Sequence, residues 1–264
     1  MRPLAELDAR GVHTVFTDID DTLTTAGQLT AAAYAALQAL QQAGLRVIPV
    51  TGRPAGWCDH IARMWPVDAV IGENGAFTMW HDRQANRLRT RHLLDQSTRA
   101  ANRSRLAQVQ EQILHEVPGA GIASDQFCRL YDLAIDFCED VPPLDDHDID
   151  RIVALMEQAG MSAKVSSIHV NGWFGEYDKL GMARILMQER HGLSLDDPAN
   201  RAACVFAGDS PNDAPMFGYF PLSVGMANVR HFASRLAQAP RFVTPSACGA
   251  GFAELAHHLL RARQ

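Results

Sequence analysis

Three carboxylates crowd into four residues, Asp18, Asp20 and Asp21, directly behind Val12-His13-Thr14-Val15-Phe16-Thr17. The β-branched and aromatic content of that run predicts a short buried strand. In an open α/β sheet, ligands bind at the carboxyl ends of the strands, where these acids would stand. Neighbouring carboxylates repel one another and each resists loss of water. A cation removes both costs, and an all-oxygen donor set suits a hard ion such as Mg²⁺.

The sequence around this cluster reads as alternating strands and helices. Residues 29–44 are rich in Ala, Leu and Gln, with Thr30 placed to cap a helix and Gly44 to stop it. Residues 45–51 and 67–71 read as further short strands, the first weakened by Pro49, which cannot donate to a ladder. This β-α-β-α-β order predicts a parallel sheet with right-handed crossovers. The rhythm changes near Phe77. A helix is predicted from about Ser97 to Glu116, ended by Pro118-Gly119, and another from about Ile149 to Ala159. Residues 131–137 alternate polar and apolar, as a half-exposed strand does, and 163–170 read as one more strand. The α/β rhythm returns at Lys179, with strands expected at 203–207, 222–225 and 241–244. The expected fold class is α/β: a Rossmann-like parallel core of residues 1–80 and 173–264, interrupted by an α+β cap of residues 81–172 with mainly antiparallel strands.

Composition narrows the function. A formal net charge of −6 argues against general nucleic-acid binding, which needs a basic face. Five cysteines with no CxxC pair argue against a disulfide framework or a zinc site. No apolar run is long enough to span a bilayer, and residues 1–8 lack the apolar stretch of a signal peptide. A cytoplasmic protein with no membrane partner is expected; the oligomeric state is open.

Four pieces stand at or near the ends of successive elements: Asp18 with Asp20 and Thr22; Thr51; Lys179; and Asp209 with Asn212 and Asp213. Their chemistry is complementary. Asp18 can serve as a carboxylate nucleophile and Asp20 as a general acid and base. Thr51 offers a hydroxyl donor, Lys179 a compact positive charge for phosphate oxygens, and Asp209 a second metal acid beside Asp18.

These residues resemble the motifs of the haloacid dehalogenase superfamily of phosphohydrolases. Asp18-Ile19-Asp20-Asp21-Thr22 matches its DxDxT motif, Thr51 in Val50-Thr51-Gly52-Arg53-Pro54 its second, Lys179 its third, and Gly208-Asp209-Ser210-Pro211-Asn212-Asp213 its GDxxxD motif. The extension to Met216, the stretch Ile71-Gly72-Glu73-Asn74-Gly75-Ala76 and Val224-Gly225-Met226-Ala227-Asn228 are similar to the Cof-type branch. A long insert between the second and third motifs is similar to subfamily IIB, which includes sucrose-phosphate phosphatase. Asp21 stands where many members carry Gly, and a turn role is expected for it. The resemblance implies a Mg²⁺-dependent phosphatase acting on a small phosphorylated metabolite, a sugar phosphate, through an aspartyl-phosphate on Asp18. Mg²⁺ would be held by the Asp18 and Asp209 carboxylates and the Asp20 carbonyl. Thr51, Gly52, Lys179 and Asn212 would contact phosphate, with Thr22, Arg53 and Asp213 supporting them.

The alternatives are a phosphohexomutase of the phosphomannomutase kind, or a non-catalytic protein that binds a phosphorylated metabolite. Candidate substrate contacts are Glu73, Asn74, Arg129, Ser167 and His169. For Arg129 an ordinary surface ion pair is the competing reading. Trp57, Trp80 and Trp173 read as core or domain-junction packing, and the seven arginines between Arg83 and Arg105 as a solvated surface.

Overall fold

The computed structural model describes residues 1–166 and 168–263. Along the first part of the chain run β1 (Arg2–Pro3), β2 (Thr14–Thr17), a two-rung hairpin of β3 (Thr24–Thr25) and β4 (Gln28–Leu29), and α1 (Ala31–Gln42). These are followed by β5 (Arg46–Pro49), α2 (Ala55–Met64), β6 (Val70–Gly72), β7 (Phe77–Asp82) and β8 (Arg87–His92). The middle part holds α3 (Gln96–Glu116), β9 (Gly121–Ile122), β10 (Asp132–Asp136), α4 (Asp146–Gln158), β11 (Ser162–Val165) and β12 (His169–Trp173). The last part holds α5 (Lys179–His191), α6 (Pro198–Ala202), β13 (Cys204–Gly208), α7 (Ala214–Tyr219), β14 (Leu222–Gly225), β15 (Phe242–Val243) and α8 (Cys248–Arg261).

The core is a parallel six-stranded sheet in the order β1-β15-β14-β13-β2-β5. Strand alternation explains why both faces are covered. Val15, Val47, Val205 and Val224 face a cluster with Leu37 and Leu40 of α1, Ile61 of α2 and Leu255 of α8. Phe16, Ile48 and Phe206 face the opposite cluster, with Met182 and Leu186 of α5 and Phe217 of α7. Pro49 ends β5 without loss to the ladder. Val50 N–H donates to Thr17 O at 2.8 Å, so the missing N–H one residue earlier would point outward, away from β2. A single parallel bridge, Val50 to Ile71, joins β5 to the antiparallel sheet β6-β7-β8. Met79 and Leu88 of that sheet pack on one core cluster and Trp80 on the other.

The second sheet, β11-β12-β10-β9, is antiparallel throughout. Leu133, Ile135 and Val170 pack with Leu106, Val109 and Ile113 of α3 and Ile152, Leu155 and Met156 of α4. Two expectations change here. Residues 163–170 are not one strand: 163–165 belong to β11 and 169–170 to β12, which pair antiparallel. β10 is not half-exposed: all five of its residues are buried. Its apolar face is covered by α3 and α4, and its polar face is enclosed as well, through contacts described below.

Candidate active site

Register brings the motifs together. Thr17 pairs with Ala207 and with Pro49, so β2, β13 and β5 end at one edge and deliver Asp18, Asp209 and Thr51 side by side. Beyond β2 the chain turns tightly: the amides of Thr22, Leu23 and Thr24 all donate to Ile19 O, and Asp21 takes φ +54°. That is the turn role expected of Asp21. Lys179 opens α5, whose N-cap Asp178 accepts from Gly181 N–H. Gly75, at φ +107°, lets this helix start approach: a Cβ there would lie 2.0 Å from Asp178 O. Gly208 serves the same end under Asp213, whose Oδ2 would lie 2.5 Å from an added Cβ.

The result is a buried charge cluster. Lys179 Nζ donates to Asp18 Oδ1 at 2.6 Å and to Asp213 Oδ1 at 2.9 Å. Asp213 Oδ2 accepts from the amides of Asp209 and Ser210. Thr22 Oγ1 donates to Asp209 Oδ1 at 3.2 Å. Asp18, Asp209 and Lys179 are each 4% exposed and Asp213 is fully buried. Burial pushes the Asp18 carboxyl up to about 8; Lys179 opposes the rise, and Asp213 and Asp20 add to it. Asp209 is pushed up to about 9, by burial first and then by Asp18, Asp213 and Asp21. Burial alone would favour a neutral amine at Lys179, but Asp18 and Asp213 reverse this and raise its pKa.

Three carboxylates share one ammonium, so the cluster lacks positive charge. One carboxylate oxygen from each of Asp18, Asp209 and Asp213 lies within 4.8 Å of the others. Both oxygens of Asp213 are already engaged, whereas no hydrogen bond among the described residues reaches Asp18 Oδ2. An oxygen-only, cation-deficient set of this kind fits a hard divalent ion.

Asp20 and Arg53 form a second unit. Arg53 Nε donates to both oxygens of Asp20 at 3.1 Å, and Nη2 to Oδ1 at 2.7 Å. The Asp20 side chain is 46% exposed. Arg53 N–H also donates to the buried Thr51 Oγ1 at 3.0 Å, which leaves the hydroxyl proton free to point elsewhere. The Arg53 guanidinium stacks on Trp57, 4.5 Å from the ring centroid. Trp57 is 46% exposed, a correction to the expectation of core packing; its partner is a cation at the edge of the site. Asn212 stands apart, with Oδ1 accepting from Ser210 Oγ, and no hydrogen bond among the described residues links it to the carboxylates.

The other candidate contacts lie at the junction of the two sheets. Glu73 is fully buried, and its carboxylate accepts the amides of Ala55, Leu130, Tyr131 and Asp132. Every lone pair thus faces a backbone donor, which leaves none for a substrate. Arg129, with 3% side-chain exposure, is a buried double ion pair rather than a surface one. It reaches Asp125 and Asp132 at 3.0 Å each and donates to Gly52 O at 3.3 Å. His169 is buried with a ring nitrogen 2.9 Å from Glu139 Oε2. Asn74 is buried at φ +56°, packed closely against Gly52. Ser167 lies outside the described residues. Asn228 was not singled out from the sequence, although the stretch holding it was. Its Nδ2 donates to Asp209 Oδ2 and Asp21 O, both at 3.0 Å, while Oδ1 accepts from Cys248 N–H.

Residues 15–112 match the family model for haloacid dehalogenase-like hydrolase. No curated protein matches the sequence. Among solved structures the fold is similar to Thermoplasma acidophilum 0175, with TM-score 0.72, 18% identity and coverage of 94% of this chain and 98% of that one. It is similar to a haloacid dehalogenase-like hydrolase from Bacteroides thetaiotaomicron, with TM-score 0.67, 14% identity and coverage of 94% and 99%. It is also similar to the sucrose-phosphatase of Synechocystis sp. PCC6803, solved with sucrose and phosphate, with TM-score 0.64, 16% identity and coverage of 95% and 98%. Among the described residues, no helix is long and apolar enough to cross a membrane. The match to the haloacid dehalogenase-like hydrolase model runs through the first two motifs, and all four converge at one edge of a fold similar to these solved structures.

Proposed function

We propose that this protein is a Mg²⁺-dependent phosphatase that hydrolyses a small phosphorylated metabolite, a sugar phosphate, through an aspartyl-phosphate on Asp18. One observation carries the reading: Asp18 is buried at the sheet edge, with one oxygen held by Lys179 and the other without a hydrogen bond among the described residues. A carboxylate so placed is oriented for in-line attack on phosphorus. The sucrose-phosphatase neighbour supports the substrate class.

Asp18, Asp209 and the Asp20 carbonyl would hold Mg²⁺, which when bound neutralises charge on the phosphoryl oxygens. The rest falls to the chain. Lys179 keeps Asp18 aimed and adds its charge to the same oxygens; the Thr51 hydroxyl and the Gly52 amide donate to the phosphoryl group. Thr22 and Asn228 fix the rotamer of Asp209, and Asp213 fixes Lys179. Asp20 gives a proton to the leaving oxygen and later takes one from the attacking water. Its half-exposed position suits both tasks, and the Arg53 contacts fix the orientation of its carboxyl group.

The test is phosphate release from a panel of phosphorylated metabolites, with Mg²⁺ and with EDTA, together with trapping of labelled phosphate on the protein. Mg²⁺-dependent release is expected, with label on the wild type and none on Asp18→Asn. Turnover that survives EDTA, or label on the variant, would overturn the mechanism.

A further inference from the structure

The second sheet turns a polar face away from α3 and α4. Register defines it: Lys164 pairs with Asn171, which pairs with Ala134, and Trp173 stands between Ser162 and Asp132. Directly paired residues share a face, so Lys164, Asn171, Asp132, Trp173 and His169 lie on one side. Val170, Leu133 and Ile135 lie on the other, in the apolar cluster. The polar face is nevertheless buried: Asp132 is 1% exposed, Trp173 2%, His169 4% and Asn171 8%. What covers it is the edge of the core that carries the active site. Asn171 donates to Asp132, Asp132 binds Arg129, and Arg129 reaches Gly52 O beside Thr51.

The basic side chains at this face are not equivalent. Arg129 is spent on two carboxylates and His169 sits against Glu139. Lys164 is half-buried and has no ion pair among the described residues. Its place on this face is set by its pairing with Asn171; burial first, and then the charge of Lys179, lower its pKa, opposed by Asp178 and Asp213. The sequence adds an independent observation. The chain has 22 arginines and only two lysines, Lys164 and Lys179. A chain that otherwise uses guanidinium for positive charge therefore places one of its two ammonium groups in the sheet-edge cluster and the other on this buried polar face.

We propose that Lys164 is a specificity-determining residue that binds a second anionic group, a carboxylate or a second phosphate, on the leaving group of the substrate. This rests on the phosphatase reading. The transferred phosphoryl group lies on the core side, at Asp18 and Lys179, so a cation projecting from the opposite sheet meets the leaving group. An anion there would meet an ammonium group that has no ion pair among the described residues.

The test compares kcat/KM on two matched pairs: glycerol 3-phosphate against 3-phosphoglycerate, and fructose 6-phosphate against fructose 1,6-bisphosphate. p-Nitrophenyl phosphate, which has no second anion, reports the chemical step. The wild type is expected to prefer the acidic member of one pair, and which pair distinguishes carboxylate from phosphate. Lys164→Met is expected to lower kcat/KM for that member about 10- to 100-fold, mainly through KM. Its neutral counterpart and p-nitrophenyl phosphate should stay within about twofold, and Lys164→Arg should retain most of the preference. A wild type that hydrolyses p-nitrophenyl phosphate but shows no preference in either pair overturns the assignment and leaves the phosphatase reading standing. So does a Lys164→Met that lowers both members of a pair equally. Absence of phosphate release from all five compounds with Mg²⁺ overturns the phosphatase reading, and this inference with it.

Discussion

Two buried clusters in this molecule have the same formal charge and opposite chemistry. At the sheet edge, Asp18, Asp209 and Asp213 share Lys179. At the junction of the sheets, Asp125 and Asp132 pair with Arg129 beside the buried Glu73, whose carboxylate accepts the amides of residues 130–132. Each has three carboxylates and one cation, and in each burial raises carboxyl pKa values, Glu73 to about 8 and Asp18 likewise. The difference lies in hydrogen bonding. Glu73 accepts four backbone amides, and Asp132 accepts from Arg129 and Asn171. At the sheet edge Lys179 engages one oxygen of Asp18, and Asp209 is held by two side chains, Thr22 and Asn228. A saturated cluster fastens one part of the chain to another; an unsaturated one is able to take a cation and a substrate.

The largest test of this contrast is Asp18→Asn, which keeps the shape and removes the nucleophile. Turnover is expected to fall at least about 10³-fold while the protein stays folded; substantial activity in pure, Mg²⁺-replete variant would break the contrast. Arg129→Met should act the other way. It leaves Asp125 and Asp132 without their cation, at a cost of about 3–5 kcal/mol in urea unfolding. Glu73→Gln presents an amide NH₂ to backbone N–H donors, and a smaller loss of about 1–3 kcal/mol is expected. If either junction variant kept full stability and lost only turnover, the junction would belong to the chemistry.

The smallest effect concerns pH. Unfolded carboxyls titrate near 3.8, whereas folded Asp18 and Asp209 are raised to about 8 and about 9. The metal-free folded chain therefore binds protons more tightly than the unfolded chain does. This stabilisation is fully present below about pH 4 and is lost as pH rises through 8 to 9. Mg²⁺ competes with those protons, so its gain in Tm should be larger at pH 8.5 than at pH 5.5, by about 3–6 °C. An equal gain at both pH values would show that the cation does not bind at these carboxylates.

Much of the sheet-edge cluster was legible because its parts are local. Asp18 to Thr22 lie in one turn after one strand, and Gly208 to Asp213 in another, so parallel register alone sets them side by side. The junction was not legible. Glu73 read as a substrate contact because it follows a core strand, and Arg129 as either a cap residue reaching a second anionic group or a surface ion pair. Three of Glu73's four amide donors lie 57 to 59 residues away, and Arg129, whose two acids are near it in sequence, also reaches a backbone carbonyl 77 residues away. Residues 131–137 had the alternation of a half-exposed strand, but alternation reports only that two faces differ. It does not tell water from a second sheet's polar partner.

The sequence by itself determined the order of elements, the four motifs and the charge types they deliver, since these depend on neighbours along the chain. Only the tertiary structure decided which buried carboxylates are saturated and which are open, that Arg129 is spent, and that Lys164 stands on the buried polar face of the second sheet. The reason is physical. Whether a buried charge is neutralised depends on donors and cations within a few ångströms, and those are set by packing between segments that the sequence keeps far apart.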